Sequence, residues 1–184
     1  LYNEEATITE LLDRVLAVDL PIGREIIIVN DGSTDDSRGC VDAWQARLPA
    51  DPGVMVRVID KPNGGKGSAV RAGIEVSSGD VVIIQDADLE YDPHDYRKCI
   101  EPILAGRASV VYGSRERLSE NRMHSSLAFY AGGLAVTCWM NLLYGASMTD
   151  EPTCYKTFDG LLIRTLPFTG DRFEWEPEIT AKLL

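Results

Sequence analysis

Asp80-Val-Val-Ile-Ile-Gln-Asp-Ala-Asp-Leu-Glu-Tyr-Asp92 joins a short apolar run to a dense cluster of carboxylates. Residues 81–84 are all β-branched and show no polar alternation, the pattern of a strand buried on both faces of a parallel sheet. Asp86 and Asp88 follow at the point where such a strand leaves the core. Two residues apart on extended backbone, their carboxylates point the same way and suit one hard cation, Mg²⁺ or Mn²⁺, with Glu90 extending the register. A solvated acidic loop is the plainer alternative. The EF-hand pattern fails, because Tyr91 stands where that loop needs Gly and Arg97 where it needs Glu.

The same rhythm runs upstream. Glu25-Ile-Ile-Ile-Val29 is a second buried strand, followed by the turn Asn30-Asp-Gly-Ser-Thr-Asp-Asp36, with Ser33 expected to cap the next helix. Residues 54–60 read as a strand, 61–65 as a turn and 66–76 as a helix. Ahead of them, Asn3 suits an N-cap, Glu4 and Glu5 suit a first turn, and Ile8, Leu11, Leu12, Val15 and Leu16 recur at helical spacing. Downstream, 96–104 reads as a helix and 109–112 as a short strand ending in Gly113-Ser-Arg115. Strands alternating with helices predict an α/β domain with an open, mostly parallel, Rossmann-like sheet flanked by helices. Such sheets bind ligands at the carboxyl ends of their strands, so the turns after Val29, Ile59 and Gln85 should share one rim.

Each turn offers a different group. Asp31 can accept a ring N–H of a nucleobase, and Gly32 lets the backbone approach the ring. Lys66 stands at a helix start, where phosphate is welcome. The sequence there is neither a P-loop, since position 60 is Asp and Gly67 follows the Lys, nor a dinucleotide fingerprint, since Val70 replaces the third glycine. A base acceptor, a basic residue and a carboxylate pair together suit a nucleoside diphosphate held with a divalent cation. Taken singly, each is an ordinary turn.

Composition narrows the partners. The 184 residues are 45% hydrophobic and 26% charged, with a formal net charge of −11. So acidic a chain is not a nucleic-acid binder. Cys40, Cys99, Cys138 and Cys154 lack the spacing of a zinc site and read as reduced cytosolic thiols. Residues 125–149 carry no charge, and a membrane span, a buried helix and an amphipathic segment on a membrane surface remain open for them. Arg115, Arg117 and Arg122 precede that stretch, where they can meet anionic head groups. Glu174, Glu176 and Glu178 read as a solvated first helical turn around Pro177, and Trp139 and Trp175 as core or interface residues.

Tyr2-Asn-Glu-Glu5, Val29-Asn-Asp-Gly-Ser-Thr-Asp35, Asn63-Gly-Gly-Lys-Gly67, Asp86-Ala-Asp88 and Gly113-Ser-Arg115 resemble, in order and spacing, the family 2 glycosyltransferases of GT-A fold. Within that family the chain looks most like the dolichol-phosphate and polyprenol-phosphate mannose or glucose synthases. Thr149-Asp-Glu-Pro-Thr-Cys-Tyr155 and Phe173-Glu-Trp-Glu-Pro-Glu178 fit the same branch. The resemblance implies one catalytic domain over 1–184, and an inverting, metal-dependent transfer of a hexose from GDP-mannose or UDP-glucose to a polyprenyl phosphate. It implies that Tyr2, Asn3, Glu4, Asp31, Gly32, Lys66, Asp86, Ala87 and Asp88 bind the nucleotide sugar. Asp86, Asp88 and Glu90 would hold the metal, Arg115 would meet phosphates, and Asp150 would be the base toward a hydroxyl acceptor. It also implies work at the cytoplasmic face of a membrane with peripheral contact. Asn30 stands where relatives commonly have an acid, which leaves guanine and uracil both open. The family's first strand, which would precede Tyr2, is expected to be missing, and the chain to stop in mid-helix at Leu184. Three other functions stay in view: transfer to a cell-envelope saccharide hydroxyl, nucleotidyl transfer, and a non-catalytic nucleotide-binding domain.

Overall fold

A computed structural model describes residues 1–49, 53–115 and 127–184, with side chains described from residue 130 onward in the last segment. Arg117 and Arg122 lie outside the described residues. The first half is a β–α–β unit. β1 (Arg24–Asp31) and β2 (Val54–Lys61) pair in parallel, from Arg24 opposite Val54 to Asp31 opposite Lys61. The intervening α2 (Ser37–Ala46) supplies the crossover that a parallel pair requires.

Helices cover both faces of β1. α1 (Ile8–Ala17) and α2 close one face through a cluster of Ile8, Leu12, Ile28, Val41 and Trp44. The Trp44 indole donates to Asp13 at 2.8 Å, so its one polar atom is satisfied. α3 (Lys66–Val76) covers the other face, with Gly73 close to the side chains of Ile27 and Val29.

The second half departs from the parallel rhythm. β3 (Val81–Ile83) and β4 (Val110–Tyr112) do not touch each other. β5 (Lys156–Asp159) lies between them, antiparallel to both. Nothing in the local pattern of residues 150–158 marked a strand, because β5 opens with two polar residues, Lys156 and Thr157, both fully buried. α4 (Tyr96–Leu104) packs against β3 and β4. α6 (Gly160–Thr165) and α7 (Trp175–Leu183) build a core of Phe158, Ile163, Phe168, Trp175 and Ile179 with Ile74 of α3. The molecule is an α/β fold whose parallel pair and antiparallel triplet are each flanked by helices.

Three local expectations change. Asn3 does not cap α1, which begins after Thr7; it takes φ 55° and its Oδ1 accepts from the Thr34 amide at 2.8 Å. Ser33 does not cap α2, whose first residue instead gives its amide to Asp35 at 3.0 Å. Of Glu174, Glu176 and Glu178 only Glu174 is a solvated residue at the helix start, since Glu176 is buried and Glu178 accepts from the Thr169 and Gly170 amides.

α5 (Leu127–Tyr144) settles part of the open question over the uncharged stretch. Among the described residues no helix is long and apolar enough to cross a membrane. It is not a buried helix either. Thr137 and Met140 face inward, while Trp139, Leu142 and Leu143 are 60%, 74% and 65% exposed.

Candidate active site

The three predicted turns meet at one rim, and hydrogen bonds tie them together. Asp31, at the end of β1, accepts from the Lys61 ammonium at 2.5 Å and from the amides of Gly64 and Gly65 at 3.0 and 2.8 Å. Burial alone would raise its pKa, but Lys61 and the two amides outweigh that and hold it below the usual carboxylate range. The register pairs Asp31 with Lys61, which is why this cation reaches it. Gly32 has φ +71°, and a Cβ there would sit 2.6 Å from the Asn63 amide nitrogen. Only glycine permits that turn.

Lys66 is the first residue of α3, and its ammonium bridges the second and third turns. It donates to Asp86 at 2.9 Å and to Glu176 of α7 at 2.8 Å, and lies 5.8 Å from the Phe173 ring centroid. Burial works against its charge, but Cys154, Asp86 and Glu176 more than reverse this, and its pKa lies above the usual lysine value. α3 can start this close to residues 170–172 because Gly67 has no Cβ; one there would stand 2.2 Å from the Gly170 carbonyl oxygen.

The acidic turn is fastened from behind. The Asp86 amide donates to Cys154 Sγ at 3.1 Å, and the Ala87 carbonyl accepts from Thr7 Oγ1 at 3.1 Å. Thr7 Oγ1 also donates to Glu4 at 2.6 Å, so Glu4 and the acidic turn share one hydroxyl. Asp88 accepts from the Glu90 amide. Its pKa is raised, first by burial and then by the negative charges of Asp86, Glu90 and Glu4, against the pull of that amide. Crowded carboxylates of this kind gain from a bound cation. Glu90 itself is exposed, and among the described residues no three acidic, His or Cys side chains converge as a ligand set. The expected trio of Asp86, Asp88 and Glu90 is therefore not assembled. Asp86 and Asp88 remain two hard oxygen donors just beyond β3, chemistry that would suit a Mg²⁺ or Mn²⁺ ion completed by ligands from outside the protein.

Arg115 and Asp150, expected in separate roles, are partners. The guanidinium meets both carboxylate oxygens at 2.9 Å, and the Arg115 amide adds a third bond at 3.0 Å. This pairing raises the Arg115 pKa, and the guanidinium also lies 5.7 Å from the Tyr91 ring centroid. Both oxygens of the Asp150 carboxylate are therefore engaged in charge-assisted hydrogen bonds. Tyr2 is half exposed at the mouth. Tyr2, Asp31, Lys66, Asp86 and Asp88 line one end of a cavity of about 880 Å³ that continues downward between β1 and β3.

Sequence reasoning placed Asp31, Lys66 and Asp86 together correctly. It missed Lys61, Cys154 and Glu176 as their partners. Of these Lys61 closes the strand that pairs with β1, and Glu176 stands at a position that is acidic in the family the chain resembles.

The Glycosyl transferase family 2 profile matches residues 1–151. An undecaprenyl-phosphate 4-deoxy-4-formamido-L-arabinose transferase of Shewanella sediminis is 34% identical over 179 residues, covering 96% of this chain and 51% of that protein. The Pseudomonas aeruginosa (strain PAO1) protein of the same description is 42% identical over 108 residues, covering 58% of this chain and 31% of its own length. The chain thus spans about half the length, or less, of these relatives. A Mycobacterium tuberculosis glucosyl-3-phosphoglycerate synthase, crystallised with Mn²⁺, UDP-glucose and phosphoglyceric acid, superposes with a TM-score of 0.71 at 20% identity. That likeness covers 99% of this chain and 64% of the other, and it shows a shared GT-A fold.

Proposed function

The chain belongs to glycosyl transferase family 2, and on that premise we propose that it moves a sugar from a nucleoside diphosphate to the phosphate of a polyprenyl lipid. The acceptor class is supported by the relatives named above, which act on undecaprenyl phosphate. The observation that carries the reading is the Arg115–Asp150 pair. A hydroxyl acceptor would need a free base, and Asp150 has both oxygens engaged. A phosphate acceptor is already ionised at neutral pH and needs none. Among the described residues Arg115 Nη1 keeps its N–H groups uncommitted, so the paired guanidinium can still hold a phosphate.

The donor would lie along the rim. Its base would stack near Tyr2 and meet the Asp31 turn, and its diphosphate would face Lys66, Asp86 and Asp88. Lys66 gives two of its three N–H groups to Asp86 and Glu176, leaving one for a phosphate oxygen. A divalent cation on Asp86 and Asp88 would supply charge neutralisation for the leaving diphosphate. The acceptor oxygen attacks the anomeric carbon as the bond to the diphosphate breaks, in one displacement with inversion. UDP-linked donors are favoured by the mycobacterial neighbour, and the sugar is either a hexose or the formamido-arabinose of the relatives.

The test is a transfer assay with undecaprenyl phosphate and labelled UDP-glucose, GDP-mannose and UDP-4-formamido-arabinose, with and without Mn²⁺. One donor should give a mild-acid-labile lipid product only with metal. Asp88→Asn should reduce it by about 100-fold while leaving the melting temperature in place. Full activity of that variant would overturn the metal assignment.

A further inference from the structure

Residues 166–174 join α6 to α7, and two of them, Arg172 and Phe173, line the cavity together with Asp31, Lys66 and Asp86. The backbone of this connection is held residue after residue. The Thr169 and Gly170 amides donate to Glu178, and those of Asp171 and Arg172 donate to Glu174. The Asp171 carbonyl accepts from the Ser68 amide at 2.9 Å, at the start of α3. Gly65 allows the approach, since a Cβ there would stand 2.7 Å from the Asp171 carbonyl oxygen and 2.8 Å from Arg172 Cγ. The stem of Arg172 therefore rests on the same turn whose Gly65 amide binds Asp31.

A loop so restrained nonetheless offers two large side chains to solvent. Phe173 is 71% exposed, and its position beside the Lys66 ammonium puts the loop at the phosphate end of the site. Arg172 is exposed, and its guanidinium has no hydrogen bond or ion pair among the described residues. Charge makes this unusual. Three basic side chains line the cavity: Arg24, Lys66 and Arg172. Arg24 donates to the carbonyls of Val15, Leu16 and Val18, and Lys66 is shared between Asp86 and Glu176. Only Arg172 is uncommitted, in a chain of net charge −11. Glu4, Asp31, Asp86 and Asp88 gather at the same end. A diphosphate that arrives there, even with a divalent cation on Asp86 and Asp88, adds negative charge beside a lysine already paired twice. It needs a second side-chain cation.

We propose that Arg172 is a diphosphate-binding residue of the donor site, an assignment that rests on the nucleotide-sugar reading above. Its planar guanidinium takes the phosphate oxygens that Lys66, with one free N–H, leaves unmet. Because the backbone that carries it is already fixed, binding has only the Arg172 side chain to order. The connection between α6 and α7 thus forms a second side of the donor site, across the chain from the three turns at the strand ends.

Calorimetry with UDP and with GDP, each with Mn²⁺, tests the assignment on the 184-residue chain and three variants. Arg172→Gln should weaken the diphosphate that binds by about 10- to 100-fold, and Arg172→Glu should weaken it further, while both variants melt with the parent. Arg107→Gln removes the same charge from an exposed residue outside the cavity and should bind like the parent. Equal affinity of the parent and Arg172→Gln would overturn the assignment and leave the nucleotide-sugar reading standing. An equal loss in Arg107→Gln would also overturn it, because net charge alone would then account for the effect. If the parent binds neither diphosphate, the functional reading falls and the assignment falls with it.

Discussion

Lys66 concentrates the chemistry of the site in one ammonium group. It pairs with Asp86 and Glu176 at once, and its side chain is 18% exposed. Lys66→Met keeps the stem and removes the charge, leaving two carboxylates facing each other. Breaking a fully buried pair costs about 3–5 kcal/mol, and because Asp86 is 28% exposed the expected loss here is about 2 kcal/mol. Urea denaturation measures it, and donor binding by calorimetry should weaken in the same variant. Lys66 and Asp86 were both legible as rim residues because each follows a readable strand or turn. Glu176 was not, since it lies on a helix far along the chain and its burial comes from α3 and α7 packing side by side. A carboxylate on an isolated helical turn looks solvated until a neighbouring element covers it.

At the scale of elements, α7 and α5 make separate predictions. Glu178 of α7 accepts the Thr169 and Gly170 amides and pairs with Lys182 at 2.6 Å. The Lys182 ammonium is the main cause that pulls its pKa down to about 2, with the two amides helping. A carboxylate depressed in the folded state stabilises fully above its ordinary value of 4.5, and that contribution fades as pH falls towards 2. Glu178→Gln should therefore lower stability at pH 7 and flatten the stability profile between about pH 4.5 and 2, read by urea midpoints. α5 presents Trp139, Leu142 and Leu143 to solvent, while its Asn141 exchanges hydrogen bonds with Met148, two residues before Asp150. If the proposed lipid acceptor is right, that face would rest against the membrane. Replacing the three by Ser should reduce cosedimentation with anionic vesicles at least fivefold while leaving the fold intact. Helices α3 and α4 were readable to the residue because their apolar spacing and flanking turns agree. The start of α1 was not, because a Glu4–Thr7 turn held by the Ser37 and Thr7 hydroxyls displaces it.

For the whole molecule, local alternation gave the parallel half and could not give the other. β1 and β2 are bounded by turns and filled by β-branched residues, so sequence and structure coincide there. β5 is a strand only because two distant edges need a partner, and its buried Lys156 is held by the carbonyls of Glu151 and Thr153 at 2.6 and 2.8 Å. That insertion has a consequence for synthesis. β3 and β4 leave the ribosome as unpaired edges, and nothing closes the space between them until residues 156–159 have been made. Cys154, which fastens the Asp86 turn, arrives in the same late burst. A nascent chain halted before that point carries Asp31, Asp86 and Asp88 but lacks both the bolt that aims them and Glu176, the second carboxylate on Lys66, so the centre is assembled abruptly rather than strand by strand.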